Sequence, residues 1–125
     1  DDRELIEAYW SEQTALAYPL RALADAGATL LFGSDAPVAP IDPWGAIAEA
    51  VGRQRGIDPA WHPEQAVSHE TALAASTHNG AGLVRPGSVA DLAIVGADPL
   101  ASPAEALRAM PVEATLIAGR ITHLA

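Results

Sequence analysis

One short run, Thr29-Leu30-Leu31-Phe32, limits what this chain can become more than any other feature. It is continuously apolar without alternation, the pattern of a strand covered on both faces in a parallel α/β sheet. The remaining β-like runs, Val89 to Val95, Val112 to Ala118 and Ile121 to Leu124, all come late in the chain. What surrounds the early run reads as helix. Arg3 to Ala17 lacks Gly and Pro and places Leu5, Ile6, Tyr9 and Trp10 on adjacent helical positions. Pro19 suits the first turn of a second helix, whose apolar face is Leu20, Leu23 and Ala24 and whose end is set by Gly27.

After a loop from Gly33 to Asp42, Asp42-Pro43 supplies an N-cap and a first-turn proline for a third helix. Trp44, Ile47, Ala48 and Val51 then form the buried stripe of an amphipathic helix. Gly56-Ile57-Asp58-Pro59 breaks it. Ser68 caps a fourth helix over His69 to Thr77, with Glu70 in its positive first turn. The character changes near Asn79, where Gly80, Gly82, Pro86 and Gly87 precede the late β-like runs. Gly119-Arg120 between the last two runs is a two-residue hairpin signal, and Ala104 to Met110 reads as a short helix. The division expected is therefore 1–79, helical with strand 29–32, and 80–125, mainly β.

Composition narrows the function. At 125 residues the chain has the size of one domain, and half of it is apolar. Cysteine is absent, which excludes a disulfide framework, a cysteine nucleophile and thiolate metal sites. All seven basic residues are arginine and the net charge is −9, a balance that argues against nucleic acid or an anionic membrane as partner. No stretch has the apolar length of a membrane span. The acidic start, Asp1-Asp2-Arg3-Glu4, lacks a leader pattern, so a cytoplasmic location is the default expectation. Alanine is the commonest residue and aromatics make up only 5%, thin material for an independent core.

The strongest chemical feature is Asp35, presented at the C-terminal tip of the apolar run after Gly33-Ser34. Parallel α/β proteins gather ligands and catalytic groups at that edge, because the strand holds them while the loops vary. A carboxylate there can ligate a metal or take a proton from a metal-bound water. The other reading makes Asp35 a turn residue that stabilises its own loop through Ser34 and Ala36. His62, His69, His78 and His123 show neither H-x-H nor H-E-x-x-H spacing and read as surface or hydrogen-bonded histidines. Ser34 lacks the frame of a nucleophile elbow, and Gly80-Ala81-Gly82 lacks the flanking strand of a dinucleotide loop. Trp44 and Trp61 could wall a pocket, although Trp44 lies on the apolar stripe and reads as core.

Taken in order, these segments resemble a family. Ala17-Tyr18-Pro19-Leu20, Ala26-Gly27, Phe32-Gly33-Ser34-Asp35-Ala36-Pro37-Val38 and Asp42-Pro43 are similar to the late part of metal-dependent amidohydrolases. The branch most resembled is amidohydrolase family 3, with its N-substituted formamide deformylase-like hydrolases. Arg85-Pro86-Gly87-Ser88-Val89-Ala90-Asp91-Leu92-Ala93-Ile94-Val95 is similar to that family's L-x-P-G-x-x-A-D-L-x-V-L segment. Ala72-Leu73 to Thr77, Asp98-Pro99-Leu100 and Val112 to Arg120 also fit.

The resemblance implies an α/β fold class: the last βα unit of a TIM-like (β/α)₈ barrel plus strands of a small flanking β-sandwich. It implies Asp35 as both catalytic residue and metal ligand, acting as general base toward water and then as acid toward the leaving group. It also implies a divalent metal, zinc foremost, and a small amide-type substrate. The family's other ligands are an H-x-H pair, a carboxylated lysine or equivalent acid, and two strand-end histidines. None has a counterpart here, and the chain contains no lysine. A complete barrel takes about 250 residues. The expectation is thus the C-terminal portion of a longer hydrolase of non-peptide C–N bonds, inactive and metal-free as these residues alone. Self-association through exposed barrel and sandwich surfaces is expected with it. The competing classes are a non-catalytic α/β binding or assembly module and a degenerate relative without a metal site.

Overall fold

The computed structural model describes residues 3–78 and 84–125. Its elements run α1 (Arg3–Tyr9), a 3-10 helix (Ser11–Leu16), α2 (Leu20–Asp25), α3 (Pro43–Gly52), a second 3-10 helix (Pro63–Gln65) and α4 (His69–Ala75). There follow β1 (Leu92–Val95), α5 (Ala104–Arg108), β2 (Val112–Ile117) and β3 (Arg120–Leu124). This is a mixed α/β arrangement with one small antiparallel sheet, in the order β1-β2-β3.

The capping chemistry places the two central helices. The Asp42 carboxylate accepts the Gly45 N–H at 2.8 Å, and Pro43 occupies the first turn, where its missing N–H costs nothing. Ser68 Oγ accepts the Thr71 N–H at 3.2 Å and starts α4 in the same way. That helix stops at Ala75, two residues short of the expected end. The Ser76 hydroxyl donates back to the Ala72 carbonyl and Thr77 Oγ1 to that of Ala74, so side chains compete for the last helical acceptors. Gly27, at φ +83, ends α2 as expected, and the Ala28 N–H reaches back to the Leu23 carbonyl.

The core lies where α3, α4 and α5 meet. Ile47, Ala48 and Ala50 of α3 pack with Val67, Ala72 of α4, Leu107 of α5 and Met110. Leu107 is fully buried, and Trp44 and Val51 are partly buried against the same cluster. Alanine lets the helices approach closely. A Cβ placed on Gly52 would stand 2.7 Å from the Ala104 Cβ, so only glycine fits at that crossing. Polar ties reinforce the contact: Arg108 Nη2 donates to Glu49 Oε1 at 2.8 Å and to the Gln54 carbonyl at 3.0 Å. His69 Nε2 donates to the Ser102 carbonyl at 2.9 Å. One core therefore joins helices from both sides of the expected division, whose boundary falls at residues 79–83, outside the described residues.

Further sequence expectations change, and the first late strand begins at Leu92, not at Val89. The helix foreseen over Arg3 to Ala17 breaks at Trp10 into α1 and a 3-10 helix. No residue of Ser11–Leu16 is buried, and a helix without a packed face has little to hold it. Thr29–Phe32 is not a strand: it pairs with no other strand among the described residues, and the Phe32 N–H goes to the Ala75 carbonyl at 2.8 Å. A parallel-type strand exists only beside a neighbour, and the described residues provide none. In the hairpin, Ile117 pairs with Arg120, so the two-residue turn is Ala118-Gly119. Both residues have positive φ, +49 and +77, the requirement of a type I′ turn.

Large apolar side chains remain outside this core. Leu31, Val38 and Ile41 are 71%, 83% and 80% exposed. On the sheet, Leu92, Leu116 and Ile121 stand opposite one another, as do Ile94, Ala114 and Leu124. The result is an apolar face on which Ile94, Ile121 and Leu124 are exposed. No helix among the described residues is long and apolar enough to cross a membrane.

Candidate functional site

Asp35 stands three residues beyond the point where Phe32 is tied to the end of α4. Its backbone is left-handed, φ +52, a conformation that glycine adopts freely and an aspartate adopts at a cost. The turn it starts is closed by the Val38 N–H, which donates to the Asp35 carbonyl at 2.9 Å, with the Ala36–Pro37 peptide bond cis. The backbone of Asp35 is thus committed to the turn while its side chain is not. Asp35 is exposed, and among the described residues its carboxylate has no hydrogen-bond or ion-pair partner. A carboxylate held in this way can accept a proton or bind a cation without first breaking a structural contact.

The histidines are dispersed over the fold. His62 Nδ1 donates to Glu64 Oε1 at 2.9 Å and its ring meets Trp61 edge-on, centroids 4.8 Å apart. His69 is tied to Ser102, and His123 lies on β3 opposite Thr115. His78 shares a concavity with the run that leads to Asp35. It lines a shallow pocket of about 470 Å³ with Leu31, Phe32, Ala75, Ser76 and Thr77. Sequence spacing could not show this neighbourhood, because it depends on the Phe32–Ala75 hydrogen bond. Trp61 does not wall a pocket among those described. It packs under the guanidinium of Arg53, 5.9 Å from the ring centroid, and its carbonyl accepts the Arg53 Nε–H at 3.2 Å.

The electrostatics outside Asp35 are structural. Burial pushes the Arg53 guanidinium below its ordinary value, opposed by Glu49 and Glu64. Glu64 is held below the usual carboxylate value chiefly by a backbone N–H, with His62 adding to it. These groups fasten the turn after α3. A second concavity, an apolar groove of about 280 Å³, is lined by Ile6, Trp10, Gln13, Leu16, Ala17 and Tyr18.

A zinc site needs three or four protein ligands converging on one point. Among the described residues no three His, Cys, Asp or Glu side chains are grouped to hold a metal ion. Asp35 would be a single ligand, and the described residues by themselves do not fit the ion.

Comparison with known proteins gives one match. A family model described as the amidohydrolase family covers residues 4–123. No curated protein and no solved structure matches the chain.

Proposed function

The chain belongs to the amidohydrolase family, whose model spans nearly all of it, and on that premise we propose that it serves hydrolysis of a non-peptide C–N bond. The substrate class is a small amide or formamide, and Asp35 is the residue through which this chain takes part. In this reading the Thr29–Phe32 run becomes a strand of a (β/α)₈ barrel only beside neighbouring strands from outside the described residues, and Asp35 then occupies the catalytic edge. The carboxylate takes a proton from the attacking water and returns it to the leaving nitrogen, one group serving as base and then as acid. The divalent ion of the resemblance, zinc foremost, would take Asp35 as one ligand and the rest from outside the described residues.

One observation carries the reading: a non-glycine residue held left-handed after an apolar run, its carboxylate uncommitted. Tyr18, Arg53, His62 and Ala118 share this left-handed backbone, so the geometry of Asp35 counts only together with its place after the apolar run. The test is release of amine from an N-substituted formamide such as N-benzylformamide by a longer, metal-loaded chain that contains these residues, and by the Asp35→Asn variant of that chain. Hydrolysis by the parent and its loss in the variant are the expected results. Equal activity in both would remove Asp35 from the chemistry, and no hydrolysis of any amide by either would favour the non-catalytic module.

A further inference from the structure

We draw no further inference here: the strongest candidate, the apolar groove along α1 and the following 3-10 helix lined by Trp10, Leu16 and Tyr18, carries nothing because no contact in the structure shows what covers it.

Discussion

The meeting point of α3, α4 and α5 and the segment from Thr29 to Ile41 are built on opposite terms. The first is closed. Ala48, Ala72 and Leu107 are wholly buried, a glycine permits the tightest approach, and Arg108 and His69 tie the periphery. The second is open on one side: Leu30 and Phe32 pack against that same core and the Phe32–Ala75 hydrogen bond anchors the run to α4, while Leu31, Val38 and Ile41 face outward. Yet Asp35, the candidate site residue, belongs to the open segment. Under the proposed function, stability and reactivity are assigned to separate stretches of this chain. Elements that pack well against each other need no further partner, whereas the strand-like run is shaped for neighbours it does not find among the described residues.

Substitutions can break this comparison, and the largest effect belongs to the closed region. Leu107→Ala removes the largest fully buried side chain and is expected to cost about 2–5 kcal/mol in denaturant unfolding. The matching truncation Leu31→Ala, at a side chain 71% exposed, is expected to stay within about 0.5 kcal/mol. Equal losses at the two leucines would mean that the open segment is packed after all. Gly52→Ala sets a methyl against Ala104 and should cost about 1–3 kcal/mol in overpacking, more than the helix propensity it gains. A raised Tm in that variant would show that α3 and α5 stand further apart. Asp42→Ala deletes the cap of α3, and a loss of about 1 kcal/mol is expected by the same measurement.

The smallest effect is electrostatic. The Glu70 carboxyl lies below its ordinary value, first through its own backbone N–H and then through the Ser68 hydroxyl, with His69 adding to both. A folded value below the unfolded one gives stability that is present at neutral pH and lost as the pH falls through the lowered value. Glu70 is exposed, so the contribution is small. Thermal melts across the acid range should therefore show a slightly shallower fall for Glu70→Gln than for the parent. A steeper fall would assign the acid limb the opposite sign.

Local chemistry was legible in the sequence wherever a residue acts on its immediate neighbours. The Asp42-Pro43 start, the Ser68 cap and the Gly27 end need only a few residues of context, and all three stand as expected. The late strands were visible because short β-like runs flank a hairpin signal and pair only among themselves. What escaped depends on distant contacts. Ser11–Leu16 has helical composition but no face to bury, and Thr29–Phe32 has strand composition but no strand to join. The hairpin turn moved by one residue because cross-strand register, not the position of glycine, decides which pair turns. At the candidate site, Asp35 was marked by its place after an apolar run. The approach of His78 to Leu31 and Phe32 was not, since it follows from a long-range hydrogen bond.

The separation of stability from reactivity is tested most directly by measuring kcat for amide hydrolysis and Tm on one preparation of the Asp35→Asn variant of the longer, metal-loaded chain. Loss of the proton-transferring carboxylate should lower kcat by about 10²–10⁴-fold while Tm stays at the parent value. An unchanged kcat, or a fall in kcat matched by a lowered Tm, would contradict it.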